Sequence, residues 1–399
     1  MKPLAGVKVL ELGMVMQVPL AAQMLADYGA EVIKVERPPR GDIIRDLDEV
    51  GTARDEMSCY YAAVGRGRKD ICIDIKSVQG REVLTRLVRE CDVLIHNFRP
   101  GVMERIGFGP DRVREINPRM IYAVSTSFGP EGPLAGMPGQ DMLAQSLSGF
   151  AMAGIGEGEK PRLTSVPVID YAAAVHLTQG ILAALFERER SGLGDVVSTS
   201  LFDVALASQV LEIASRSVYG YRTSWTDYAM IFPTADGWIT VLTLFRPNPL
   251  QLLCRAFGVE DMSIDPKLAN ASLQRENAAL IQDRFGPIIA KFSTDDCLER
   301  LRDTDILAAP VLDLEEAIAH EQTHLNRAIW EVEVPGHGRR KLAGTPVRLG
   351  RHNLEDTRPP VGLGADSEKV LSEFGYTADE IQALRDNAVI YQRDERAKT

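Results

Sequence analysis

Basic residues are in short supply. Acidic side chains outnumber them 56 to 45 over 399 residues, a formal net charge of −11. Nucleic-acid binding draws on a basic surface that displaces counterions, so no nucleic-acid partner is expected. An anionic ligand stays open, because a local arginine cluster can bind phosphate on an acidic protein. Cysteine is scarce: Cys59, Cys72, Cys91, Cys254 and Cys297 stand apart with no CxxC spacing. They read as small buried hydrophobes in a reducing compartment, not as a disulfide framework. No charged, apolar, small-residue leader opens the sequence, and no uninterrupted apolar stretch approaches about 18 residues. A cytoplasmic protein without a membrane partner is therefore expected. Three signature loops are missing as well. No G-x-G-x-x-G follows the first strand pattern, which disfavours a nicotinamide or flavin dinucleotide site. The Walker A spacing is absent, and no G-x-S-x-G elbow offers a serine nucleophile.

What is present is a globular composition, 45% hydrophobic and 25% charged, in a chain long enough for a large core and two domains. Apolar, β-branched runs recur at 7–10, 31–35, 71–73, 92–95 and 120–124, with helix-like segments between them at 20–27 and 78–89. In the second of these Val83, Leu84, Leu87 and Val88 form one stripe at a period near 3.6. Strands that recur after helices argue for a parallel sheet covered on both faces, and crossover handedness makes an open, Rossmann-like α/β layer the leading fold. A further strand is expected at 196–201. An apolar helix at 172–186 ends in a charged turn and the Ser191-Gly192 stop. Residues 228–233 and 238–242 form a hairpin pattern turned by Asp236-Gly237. These patterns give a large domain over 1–225, a smaller α+β domain over 226–330, and a return to the large domain over 331–399. That return ends in a helix capped by Thr377 and Glu380.

Among the local motifs, His320-Glu321-Gln322-Thr323-His324 matches HExxH. It sits in a peripheral helix pattern with no third ligand in view, so a solvated helix is expected and no metal. Gly65-Arg66-Gly67-Arg68-Lys69 reads as a loop, either plain surface or a phosphate clamp. Arg99 and Arg105 bracket Pro100-Gly101 just after a strand pattern, where open α/β sheets bind ligands, and would suit phosphate or carboxylate.

Several stretches in order resemble the class III CoA-transferase family, which includes formyl-CoA transferase and carnitine CoA-transferase. They are LAGVKVLEL at 4–12, LADYGAEVIKVERP at 25–38, the Gly41-Asp42 pair, DVLIHNFRPGVMER at 92–105, Asn117-Pro118-Arg119, SFGPEGP at 127–133 and GILAAL at 180–185. Support after that is thinner, chiefly Ala235-Asp236-Gly237-Trp238 and Gly375-Tyr376. The resemblance implies an enzyme that moves coenzyme A between carboxylic acids through an aspartyl anhydride, with the catalytic aspartate at Asp170. A carboxylate is a weak nucleophile, but a mixed anhydride conserves the thioester's energy if water is kept out. It further implies acyl-CoA as substrate with no permanently bound cofactor. Coenzyme A contacts would fall at Met16, Gln17, Arg37, Arg40, Asn97, Phe98 and Arg105, with Asp141 and Gln140 in support, and the protein would be an interlocked homodimer. On residues alone, Asp170 could equally be the N-cap of the apolar helix behind it.

Departures from the family pattern matter. Gln17-Val18-Pro19 stands where relatives read Ala-Gly-Pro, so Val18 puts a Cβ where glycine would allow close approach. No glycine-rich loop precedes Phe232-Pro233, which disfavours oxalate as the acid. The racemase branch of the family pairs the aspartate with a histidine that aligns with Gln140; glutamine cannot transfer that proton. His176 lies six residues after Asp170, on another helix face, where Val175 and Leu177 suggest packing. A CoA-binding protein without turnover is the other alternative. Arg222, Arg246, Phe150, Tyr171, Tyr228 and Phe232 are candidates to face the acceptor acid.

Overall fold

A computed structural model describes residues 1–54, 56–156, 158–221, 224–243 and 246–393; Arg222 lies outside them. The chain divides into two compact units. One comprises Met1–Ala151, Arg162–Ser208 and Asn326–Thr399, the other Met152–Pro161 and Gln209–Leu325.

In the first unit, period-two alternation builds a sheet that is apolar on both faces. Strands β1 (Lys8–Glu11), β2 (Glu31–Glu36), β3 (Arg68–Ile73), β4 (Val93–His96), β5 (Ile121–Thr126) and β6 (Val196–Ser200) run parallel in the order β3-β2-β1-β4-β5-β6. Ile390–Tyr391 adds an antiparallel edge beside β3. Val9, Val32, Val93 and Ile121 point to one face, where they pack with Val18, Ala22 and Leu25 of α1 (Gln17–Asp27). Leu10, Ile33, Ile71 and Leu94 point to the other and meet Val83, Leu84, Leu87 and Val88 of α2 (Val78–Glu90). The stripe read from the sequence is thus the buried one.

The helix α3 (Asp141–Leu147) packs through Ala144, Ile169 and Ala173 against the first turns of α4 (Val168–Ser191), which completes the layer on the α1 side. By length and composition α4 is the one described helix that could cross a bilayer. Its Ala174, Leu177 and Ile181 are buried with α1 against the sheet, the packing of a core helix. Gly180 is what lets α4 lie this close, since a Cβ there would sit 2.6 Å from Cγ1 of Val197. The helix ends at Gly192 in the left-handed region (φ 75°), as the Ser191-Gly192 stop leads one to expect. It begins four residues earlier than the apolar pattern does, for a reason given by the site below. The capping box of Thr377 and Glu380 is also in place, opening the helix Ala378–Asp386.

The Gly65–Lys69 segment is neither a surface loop nor a phosphate clamp. Arg66 and Arg68 are buried, paired with Asp27 (2.8 Å) and Glu11 (2.7 Å). Four of the five cysteines are buried; Cys59 is exposed, and all five are free.

In the second unit β7 (Ala229–Pro233), β8 (Trp238–Leu242) and β9 (Leu307–Pro310) form an antiparallel sheet. The hairpin is closed by Thr234 N–H donating to the Gly237 carbonyl at 2.9 Å. Phe232 lies in this unit's core, fully buried against Phe285, so it is not available to a substrate. Arg246 is tied to Asp305 at 2.9 Å. The helix α5 (Val210–Tyr219) buries none of its residues and exposes Val210, Leu211, Ile213, Val218 and Tyr219. At the HExxH sequence the chain turns extended at His320, between helices Leu314–Ala319 and Glu321–Leu325. The two histidines therefore do not share one helix face. No cluster able to hold a metal occurs among the described residues.

Candidate active site

Strand order puts β1 and β4 side by side at the centre of the sheet, with β2 and β5 on opposite flanks. Connections diverge there, leaving a crevice beyond the carboxyl ends of the central strands. A cleft of about 450 Å³ occupies this place, lined by Met14, Val15, Met16, Gln17, Asn97, Phe98, Arg99, Ser127, Pro138, Gly139, Gln140, Leu143 and Asp170. Three strand ends supply most of it: residues 14–17 follow β1, 97–99 follow β4, and Ser127 follows β5.

The loop after β1 is held from two sides. Met14 N–H donates to Asn97 Oδ1 at 2.9 Å, and Asn97 Nδ2 donates back to the Met14 carbonyl at 2.8 Å. Val15 N–H donates to the Asp42 carboxylate at 3.0 Å, with Val15 in the left-handed region at φ 67°. Gln17 follows as the first residue of α1; its side-chain oxygen accepts from the Ser125 hydroxyl, which in turn accepts from Thr199 at 3.0 Å. Val18 turns away from the cleft. Its side chain is fully buried and lies over Gly13, where a Cβ would come within 2.1 Å of Val18 Cγ1. The departure from the relatives' glycine therefore fills the core below the loop instead of narrowing the cleft.

Asp170 enters from the opposite wall, in the first turn of α4. It is not the cap of that helix. The cap position is Pro167, and the capping carboxylate comes from Asp141, whose Oδ2 accepts the N–H groups of Ile169 (2.7 Å) and Asp170 (2.9 Å). A cap supplied from a distant segment lets α4 start at Val168 without a local signal. Asp141 is itself buried, and its other oxygen accepts from Gln145 Nε2. Burial pushes the Asp170 carboxyl up to about 7, and repulsion from Asp141 adds to it. That burial outweighs the favourable dipole of the helix start.

Gly139 brings Gln140 into the cleft: a Cβ at this glycine would lie 2.5 Å from Ser127 Cβ, so only glycine passes so close. Ser127 Oγ donates to the Gly139 carbonyl at 3.0 Å. Beneath the cleft floor His96 accepts from Phe98 N–H at Nδ1 (3.2 Å), so its proton sits on Nε2, facing the Tyr122 hydroxyl at 2.9 Å. Burial alone drives the His96 pKa down to about 3 and keeps it neutral.

Of the residues read from the sequence, the cleft brings together Met16, Gln17, Asn97, Phe98, Gln140 and Asp170. Asp141 acts from behind, through the helix start. Arg37, Arg40 and Arg105 do not line the cleft; all three are exposed, and Arg40 pairs with Asp46 at 2.9 Å. His176 is exposed, not packed. Met14, Val15, Ser127 and Leu143 are lining residues that sequence reasoning did not select. The rule that ligands sit beyond carboxyl strand ends could have found the first three. Leu143 shows only once α3 is folded.

Comparisons with known proteins place the chain in a family. The model of CoA-transferase family III matches residues 4–367, and the chain belongs to this CaiB/BaiF-like family of CoA-transferases. It is 30% identical over 403 residues to an acyl-CoA transferase of Fusarium pseudograminearum, covering 97% of this chain and 88% of that one. It is 32% identical over 385 residues to a "probable fatty acyl-CoA transferase" of Mycobacterium tuberculosis, covering 91% and 96%. The crystal structure of that mycobacterial protein superposes with a TM-score of 0.80 at 30% identity, over 92% of this chain and 98% of that one. A CaiB/BaiF family protein from Brucella suis gives 0.83 at 26% identity, over 94% and 99%. The chain is thus an enzyme of CoA transfer acting in acyl-CoA metabolism.

Proposed function

We propose that this enzyme transfers coenzyme A from an acyl-CoA to a free carboxylic acid, with Asp170 as the covalent nucleophile. The observation behind this reading is the half-buried Asp170 carboxylate facing the cleft, its pKa raised to about 7 by desolvation. A more basic carboxylate is a better nucleophile, and one with a pKa near 7 is still substantially ionised at neutral pH. An Asp170 oxygen attacks the thioester carbonyl; the C–S bond breaks, CoA leaves as thiolate, and a mixed anhydride remains. The thiolate then attacks the Asp170 carbonyl, which releases the first acid and leaves CoA on the enzyme as a thioester. The acceptor carboxylate displaces that thiolate to form a second anhydride. Attack by the thiolate on the acceptor's carbonyl yields the new acyl-CoA and restores Asp170.

Phosphates of coenzyme A would be met by exposed arginines outside the inner cleft, with Arg37, Arg40 and Arg105 as candidates beside Arg99. The inner lining favours an apolar acyl group. Met14, Val15, Met16, Phe98, Pro138 and Leu143 line the cleft with Asp170, and Arg99 is the one cation among the described lining residues. On α3 the usual polarity is reversed: Asp141 and Gln145 point inward while Met142, Leu143 and Leu147 are exposed. An apolar track beside a reacting centre is suited to an aliphatic chain. A dicarboxylic acid would need a second cation there. Racemase chemistry is disfavoured, because among the described residues no histidine, lysine or second carboxylate lines the cleft beside Asp170. The homodimer is also proposed, and the unburied apolar residues of α5 support it.

The test is an exchange assay read by mass spectrometry. Wild type and Asp170→Asn are offered a panel of acyl-CoA donors and pooled free acids. New acyl-CoA species from wild type only are expected, richest with apolar monocarboxylic acids. Exchange that survives in Asp170→Asn would remove Asp170 from the mechanism. Tight CoA-ester binding with no exchange in any combination would favour the binding-protein reading.

A further inference from the structure

Below the cleft runs a chain of buried charges that the reaction itself does not use. Arg68 pairs with Glu11 at 2.7 Å, Glu11 with Lys34 Nζ at 2.9 Å, and Lys34 with Asp42 at 3.1 Å. Lys34 and Glu11 are fully buried and Asp42 nearly so, at 3% exposed. Such a row costs desolvation, so its worth has to be sought in geometry as well as in stability. Both ends of the loop below Met14 hang from it. Lys34 Nζ donates to the Gly13 carbonyl at 2.8 Å, and Asp42 accepts Val15 N–H at 3.0 and 3.2 Å on its two oxygens.

Val15 is the residue under strain. A β-branched side chain at φ 67° is a true outlier, and its neighbours must over-determine it. Met14, Val15, Met16 and Gln17 form the cleft wall that faces Asp170. A relaxed Val15 would swing its own side chain and the start of α1 relative to the nucleophile.

We propose that Asp42 is a positioning residue for CoA transfer. Its carboxylate, fixed by Lys34, pins Val15 in the left-handed region and so sets where the 14–17 wall stands opposite Asp170. This rests on the reading of Asp170 as nucleophile. Asparagine at 42 loses the charge that faces Lys34 and replaces one of the two oxygens that hold Val15 N–H with an NH2 donor, so it can no longer grip Val15 from both sides.

Three readouts test it on the full-length enzyme. In Asp42→Asn, amide hydrogen exchange in a peptide spanning residues 13–19 should speed up at least about tenfold, since the Val15 N–H opens locally. Turnover should fall by up to about 10²-fold, as for a misplaced reacting geometry, while the Kd for CoA stays within about threefold. Adding Val15→Gly to Asp42→Asn should restore turnover by about tenfold or more, because glycine takes positive φ without strain. A role confined to stability predicts no such rescue. If Asp42→Asn does not fold, Val15→Pro removes the same N–H and the same φ while leaving the buried ions whole, and it should lose turnover equally. Unchanged loop exchange in Asp42→Asn, absence of rescue, or full turnover in Val15→Pro each overturns the proposal. Absence of CoA exchange in wild type would instead sink the transfer reaction at Asp170, and loop hydrogen exchange would still decide whether Asp42 pins Val15.

Discussion

At the scale of single residues, two carboxylates with different surroundings divide the work of the cleft. Asp170 is half-buried with no paired cation and its pKa is raised to about 7, while Asp141 spends one oxygen on the start of α4 and the other on Gln145. A folded pKa above the unfolded value means stability that is full below about pH 4 and is lost as pH rises through about 7. Asp170→Asn removes that loss. Its unfolding free energy should therefore exceed wild type by a margin that widens from pH 5 to pH 8, reaching at most about 4 kcal/mol and read as a higher melting temperature. A margin that narrows with pH would refute the burial argument. Activity should follow the opposite course: the rate of the first acyl transfer should climb with pH to a plateau above about 7, as Asp170 ionises. Replacing Asp141 by alanine leaves the buried Ile169 N–H and the half-buried Asp170 N–H without acceptors and should cost about 1–3 kcal/mol, read as a lower urea midpoint. Leu143→Arg should cut kcat/KM for long-chain acyl-CoA by tenfold or more and spare short chains, given about 1–3 kcal/mol per misplaced apolar contact. Asp170 stood out in the sequence through the family pattern. Asp141's true task did not, because a cap reaching across 28 residues leaves no local spacing to read.

Elements were legible where periodicity is strong. The six parallel strands form where the apolar runs lie, and the α2 stripe is buried, since each needs only alternation or a 3.6 period; β3, however, starts at Arg68, inside the segment read as a loop. Polarity misled where burial reverses it. Arg66 and Arg68 look like surface in the sequence, but their partners Asp27 and Glu11 lie 39 and 57 residues away. The Val18 departure was misplaced for a similar reason: a β-branched residue in a ligand loop reads as an obstruction until Gly13 is seen to accept it from below. That pairing predicts coupling. Gly13→Ala should destabilise by about 1–3 kcal/mol through overpacking, and Val18→Gly in the same chain should recover part of it. Simple additivity of the two changes in urea denaturation would contradict the contact.

For the whole molecule, the cleft and the surface proposed for dimer formation lie on different units. The cleft belongs to the first unit alone, and the unburied apolar residues of α5 belong to the second. Light scattering should give twice the chain mass of 43.9 kDa, and paired Leu211→Arg and Val218→Arg changes should lower it towards the monomer. Nothing in composition announced that surface, since an exposed amphipathic helix and a buried one share the same period. The identity of the reaction rests on the covalent step. The most direct test is to incubate the enzyme with an acyl-CoA, quench in acid, and weigh the peptide that contains Asp170. The account predicts a peptide heavier by a CoA thioester or trapped as an acyl adduct, absent in Asp170→Asn. An enzyme that exchanges CoA with this peptide unmodified, or with the adduct on another residue, would contradict it.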